Sequence, residues 1–231
     1  MQPRIDKIVV DFISQLTANN NKTWFDANRS FYTEARSAFL QFGEAFISRV
    51  AEFDPTVGEL DVKNCVFRIN RDVRFSPDKS PYKRHFGLFV ARGGKNSRLP
   101  GYYFHLQPSD NSVFCSGNYG LNSEELRQLR TEICNFPEEL HAIVSDLPKA
   151  GLRLSDNEGK LKKLPRGFEI DERYSEYLKY KTLNAIVGYS DKEVLSENFF
   201  DTLCRHAEAA HALNDFYLRA LETEVEEDYG L

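Results

Sequence analysis

The sequence predicts an α+β fold, and three features carry the prediction. Apolar residues recur at helical spacing near both ends of the chain. Between about residues 85 and 117 the period drops to two, as in half-buried strands. Two of those alternating runs flank Pro108-Ser109-Asp110-Asn111, a hairpin-type connection. The expected architecture is mainly an antiparallel sheet of four to six strands, packed with several helices including long N-terminal and C-terminal ones.

Ile5, Ile8/Val9, Phe12/Ile13 and Leu16 make a short helix from Ile5 to Thr17, ended by Asn19-Asn20-Asn21-Lys22. Thr23 is then expected as an N-cap, with Asp26 as a weak capping-box acid, opening a long helix to about Glu52. Its stripe is Trp24, Phe31, Ala35, Ala38/Phe39, Phe42, Phe46 and Val50, and Asp54-Pro55 stops it. Asn28 interrupts the stripe, either bonded to a neighbouring backbone group or as a polar group on a pocket wall.

Cys65 to Ile69 reads as a strand with Phe67 and Ile69 on one face and Arg68 on the other. His85 to Ala91 alternates with Phe86, Leu88 and Val90 on one face, and residues 92–97 form a flexible connection. Gly101 to Pro108 and Ser112 to Gly117 form the hairpin. With a four-residue loop, Gln107 pairs with Ser112, His105 with Phe114 and Tyr103 with Ser116. Tyr102, Phe104 and Leu106 would then share the buried face with Val113 and Cys115. Tyr103, His105, Gln107, Ser112 and Ser116 would line the polar face.

Helices are expected at Ser123 to Cys134, capped by Asn122 or Ser123, and at Pro137 to Val144 with proline in its first turn. Gly151 to Phe168 is turn-rich. A short helix over Asp171 to Leu178, a strand over Lys181 to Tyr189 and a closing helix from Ser196 to about Leu221 follow. The acids from Glu222 to Asp228 oppose the helix dipole there, so residues 222–231 are expected to fray.

With 231 residues, 41% of them hydrophobic, and neither a linker tract nor an internal repeat, one domain is expected. Four separated cysteines without Cys-x-x-Cys, a polar N-terminus and no apolar run near a membrane span point to free thiols in a cytoplasmic protein. No metal site, cofactor or membrane association is expected.

The net charge of −5 argues against a general nucleic-acid binder, but its distribution is uneven. Lys63 to Arg98 holds ten Lys/Arg and two acids, a local +8 on an acidic chain. Within it, Arg68, Arg71, Arg74, Lys79 and Lys83 surround two prolines that stiffen the backbone, so gripping a ligand costs less entropy. Arginine suits a forked grip on phosphate or carboxylate. The expected ligand-binding set is Arg68, Arg71, Arg74, Lys79, Tyr82, Lys83, Tyr103 and His105, for a small anionic ligand. Alternatively, Asp72 and Asp78 neutralise the cations as a loop-fixing ion network.

His105, with Tyr103 beside it and Asp72 or Asp78 as orienting acid, is the candidate for general-base chemistry, and His85 has similar credentials. No nucleophile elbow, Walker A, dinucleotide fingerprint or His-Glu-x-x-His occurs, so enzymatic activity is left open. Two other classes stay in view. One is a nucleic-acid binder, stacking bases on the aromatics interleaved with the basic residues. The other is a structural or partner-binding scaffold.

Leu16-Thr17-Ala18-Asn19-Asn20-Asn21-Lys22-Thr23-Trp24-Phe25-Asp26-Ala27-Asn28-Arg29, the run from Phe67 to Lys83, Gly101 to Leu106, and Leu164-Pro165-Arg166-Gly167-Phe168 together resemble the DUF2461 family. The resemblance covers nearly the whole chain. It implies one compact domain in a cytosolic protein, and it brings no activity with it.

Overall fold

The structure, a computed structural model, describes residues 3–155 and 159–222. It is α+β with a five-stranded antiparallel sheet. The helices are α1 (Lys7–Ala18), α2 (Lys22–Ala27), α3 (Arg29–Phe53), α4 (Ser123–Asn135), α5 (Pro137–Asp146), α6 (Asp191–Val194) and α7 (Phe199–Glu222). The strands are β1 (Phe86–Val90), β2 (Gly101–Leu106), β3 (Ser112–Gly117), β4 (Arg153–Ser155) and β5 (Asn184–Tyr189), in the order β1-β2-β3-β5-β4. Contacts gather the chain into two units. Among the described residues, one holds 3–96 with Tyr103–Phe114 and Gly188–Arg205; the other holds Ser97–Tyr102, 115–155, 159–187 and 206–222.

The first unit is built on aromatic packing. Phe12 of α1 meets Phe31 at 5.3 Å and Phe86 at 6.1 Å between ring centroids, and Phe39 stacks on Phe86 at 5.1 Å. Phe104 packs on Phe199 at 5.5 Å, and Tyr189 meets Phe199 edge-on at 5.0 Å. Rings of this size dominate core energetics, and offset or edge contacts add to their burial.

The single helix expected from Thr23 breaks at Asn28. Its φ of −112° and ψ of 26° are not helical, and its side-chain Nδ2 donates to Trp24 O at 2.9 Å. A short polar side chain that bonds the preceding turn competes with the helix ladder. The N-cap is Asn21, whose Oδ1 accepts from Trp24 N–H, and not Thr23, which lies inside α2.

The strand expected at Cys65–Ile69 is replaced by two isolated bridges, Val66↔Leu88 and Asn70↔Tyr82. Phe67 N–H donates to Gly87 O, whereas Lys83 N–H donates to Ile69 O, so the run changes partner midway. Val66 and Ile69, three residues apart, are both buried, while Phe67 is only partly so and Arg68 is exposed. The alternation of Phe67 and Ile69 therefore fails.

In the hairpin, β2 buries Tyr102, Phe104 and Leu106 as expected, but β3 is turned over. Ser112, Phe114 and Ser116 are buried, and Val113 and Cys115 are partly exposed. The strand ends leave five connecting residues, 107–111, not four, and one residue of register exchanges the faces. Ser109 and Asp110 have φ of 69° and 59°, the left-handed pair that suits a tight hairpin. Both N–H groups donate to the Asp191 carboxylate, at 2.8 and 3.2 Å.

The second unit starts its helices as the sequence predicts. Asn122 caps α4 with a full capping box to Glu125, and Pro137 opens α5. The strand β4, unforeseen in the turn-rich stretch, pairs antiparallel with β5 from Arg153↔Ile186 to Ser155↔Asn184. Residues 172–179 form a 3-10 helix capped by Asp171. Several buried polar groups here bond to one another. Tyr217 OH accepts from Leu183 N–H at 2.5 Å and lies 3.0 Å from Thr182 Oγ1. Tyr102 OH meets His211 Nδ1 at 3.0 Å, and Ser116 Oγ donates to Asn214 Oδ1 at 3.1 Å. The expected fraying concerns residues that, from 223 on, lie outside the described ones. The four cysteines are free thiols, and no helix among the described residues is long and apolar enough to cross a membrane.

Candidate functional site

Residues 70 and 82 bridge at the neck of a loop whose arginines turn mostly inward on their own segment. Arg71 donates to Asp78 Oδ2 at 2.7 Å, Ser80 O at 3.1 Å and Ser76 Oγ at 3.1 Å. Arg74 grips Asp72 with a forked contact, Nη2 to Oδ2 at 2.7 Å and Nε to Oδ1 at 3.0 Å. Lys79 Nζ donates to Val73 O at 3.0 Å. Bonds from Ser80, then Arg71, hold Asp78 down to a pKa of about 2, and Arg74 lowers Asp72 likewise. Three of the predicted ligand residues, Arg71, Arg74 and Lys79, thus brace the loop. Asp72 faces Arg74 and not a histidine.

Tyr82 lies in the core. It is 5% exposed, its ring stacks on Phe25 at 4.1 Å, and its backbone is held by Asn20.

The remaining residues come together at the base of the loop and on the polar side of β1 and β2. His85, just before β1, stacks on His105 of β2, with ring centroids 4.0 Å apart and planes 20° off parallel. His105 Nδ1 lies 3.2 Å from Tyr103 OH, and its Nε2 lies 3.0 Å from Gln107 Oε1. Tyr103 also meets the edge of Phe67, ring centroids 6.2 Å apart, and Lys83 Nζ sits 5.1 Å over that same Phe67 ring. Gly87 lies under this group. A Cβ there would sit 3.1 Å from Tyr103 Oη and 3.3 Å from Phe67 Cδ2, so a side chain would crowd both rings.

Electrostatics single out two cations. Burial lowers the Lys83 pKa, and the charge of Arg68 lowers it further. No ion pair joins either side chain to a described acid; Asp72 feels the charge of Arg68, but its oxygens are held by Arg74. His85 is pushed down to about 3 by burial, then by His105 and Lys83, and burial lowers His105 also. The histidines are therefore neutral at pH 7, a state suited to hydrogen bonding and poorly suited to holding a charge beside Lys83.

The stacked histidines escape a reading by motif because 20 residues separate them. Parity within each run would have found them, since His85 alternates with the buried Phe86, Leu88 and Val90, and Tyr103 and His105 alternate with the buried Tyr102, Phe104 and Leu106. Away from this loop, Lys160 of the turn-rich stretch pairs with Glu176 at 3.5 Å and lies 4.2 Å over the Tyr180 ring. Among the described residues no three His, Cys, Asp or Glu side chains gather as around a metal ion.

A family model described as conserved hypothetical protein (DUF2461) matches residues 8–216. No curated protein and no solved structure matches the chain.

Proposed function

We propose, from the premise that the chain belongs to the DUF2461 family, that it binds a small anionic ligand through a phosphate or carboxylate group beside Lys83 and Arg68. The observation that carries this reading is the pair itself: two neighbouring cations, one partly buried, that repel each other, with no ion pair from either to an acid among the described residues. Partly buried charge without a counter-charge is costly, and a bound anion offsets both the desolvation and the repulsion. Tyr103 and His105 stand beside them with neutral hydrogen-bonding groups. In this reading Arg71, Arg74 and Lys79 shape the loop, and the anion meets its base.

The test is a thermal-shift titration with phosphate, sulfate and citrate at low and moderate salt. Wild type is expected to melt higher with at least one of these anions, with little loss at moderate salt. Lys83→Met keeps the apolar stem on Phe67 and is expected to abolish the shift; Arg68→Ala is expected to reduce it, and Arg74→Ala to leave it. The absence of any shift, or an equal shift in Lys83→Met, would overturn the reading.

A second reading, binding of single-stranded nucleic acid, is favoured by Phe75. This ring is 94% exposed at the far side of the loop, with the Arg74 guanidinium 5.9 Å from its centroid. Base stacking on such a ring tolerates any sequence, and the accompanying phosphate contacts fall steeply with salt. Salt-sensitive oligonucleotide binding lost in Phe75→Ala would establish it.

A further inference from the structure

Among the described residues no large apolar side chain is more exposed than Phe75, at 94%. It stands on the loop that Arg71 braces from within, through Asp78, Ser80 O and Ser76. Covering the ring therefore costs little backbone freedom. Beside it Arg74, its side chain largely exposed, holds Asp72 through Nε and Nη2 and leaves Nη1 without a partner among the described residues. An aromatic ring next to an arginine is a pairing that the centres of protein interfaces favour. So exposed a ring fills no cleft of its own chain.

The first unit also holds an open cleft of about 500 Å3 between α3 and residues 58–61. Ile47 is buried at its base, and Ala51 and Leu60 add apolar lining. Glu59 and Asp61 supply its charge, and no basic residue lines it. Neither acid forms an ion pair among the described residues; Asp61 Oδ1 accepts Lys63 N–H, and Glu59 is exposed. The stretch that bears the ring is of opposite sign, with six Lys/Arg against two acids from Arg68 to Arg84.

We infer that the chain associates with itself head to tail, Phe75 of one copy entering the cleft of the next and Arg74 meeting Glu59. Knob and cleft are apolar at the centre and opposite in charge at the rim, and one sequence carries both; the occupant is therefore a second copy. The two surfaces differ, so the contact is heterologous: each added copy brings a free ring and a free cleft, and growth continues until the chain of copies closes. A single anchor makes an interface below the standard size, and the association is weak and reversible. This inference is independent of the anion reading and competes with the nucleic-acid reading for the same ring.

The experiment is sedimentation of the full chain from about 1 µM to about 1 mM, the range in which small interfaces assemble. The weight-average mass of wild type is expected to rise with concentration above that of one chain. Phe75→Ser removes the knob and Ala51→Tyr fills the cleft; both positions are exposed, so the fold is kept, and each variant is expected to stay a single chain. Mixed together, the two are expected to form a one-to-one complex, since the first keeps its cleft and the second its ring. Glu59→Lys is expected to weaken wild-type association about tenfold, by placing like charges together. A wild type that is a single chain at every concentration would overturn the inference. So would association that survives Phe75→Ser or Ala51→Tyr, or a mixture of the two that forms no complex. Oligonucleotide binding through Phe75 by a chain that never self-associates would overturn it in favour of the nucleic-acid reading.

Discussion

The side chain of Asn20 pairs with the backbone of Tyr82 as a neighbouring strand would: its Nδ2 donates to Tyr82 O at 3.0 Å and its Oδ1 accepts Tyr82 N–H at 3.1 Å. Two peptide groups of a buried residue are thereby satisfied by one amide placed between α1 and α2. Asn20→Ala should cost about 1–3 kcal/mol, the usual penalty for stranding buried backbone groups. Asn20→Asp should be no better, because a carboxylate has no proton for Tyr82 O. Urea denaturation of the three proteins measures both.

Tyr217→Phe removes the acceptor of Leu183 N–H and a partner of Thr182 Oγ1, all fully or nearly buried. The expected loss is about 1–3 kcal/mol with an unchanged m-value, since the shape of the ring is kept.

The stacked histidines set an acid response. Both have folded pKa values below the ordinary one, His85 at about 3. The unfolded chain therefore binds protons that the folded chain refuses once the pH drops below about 6.5. Stability is highest above that value and falls as pH decreases toward 3, by at most about 1.4 kcal/mol per pH unit for each histidine. Asp78 acts in a lower window: its depressed pKa favours the folded loop above about pH 4 and ceases to do so as pH falls through about 2. Melting temperatures between pH 7.5 and 5 isolate the histidines. The decline should flatten in His85→Gln/His105→Gln, and an equal decline would refute the assignment.

Gly94 has a φ of +75°, and a Cβ there would lie 2.7 Å from the backbone oxygen of Asn64. Gly94→Ala meets a conformational penalty and a backbone clash together, and should lose about 2 kcal/mol or more. Thermal melting with Gly120→Ala as control, where φ is +76° and the space is open, separates the clash from the strain.

Arg71→Ala should loosen the loop while sparing the body. Chymotrypsin cleavage after the exposed Phe75 is expected to rise about tenfold, the effect of an opening equilibrium eased by about 1.4 kcal/mol. Comparable cleavage in both proteins would mean that the prolines alone hold the loop.

Much of this architecture is legible in the residues themselves. Asn122, Pro137 and Asp171 mark helix starts because capping is local chemistry, and the parity of Phe86, Leu88 and Val90 fixes the buried face of β1. Misreadings occur where a distant partner decides. Ser116 goes inward because Asn214 waits there to accept its hydroxyl, and Val113 and Cys115 turn out with the register. Cys65–Ile69 looks like one strand and instead serves two partners. At the candidate site, charge clustering indicates the region but not the division of labour. Arg71 and Arg74 each hold an acid in an ion pair, Asp78 and Asp72, and that pairing is a property of the folded loop.

Every side-chain brace within residues 71–80 joins positions no more than nine apart. Contacts of such short span close within about 10–100 ns and need no help from the rest of the chain. Residues 71–80 can take on much of their shape while the sheet is still unpaired, which gives the collapsing chain a ready-made feature to fold around.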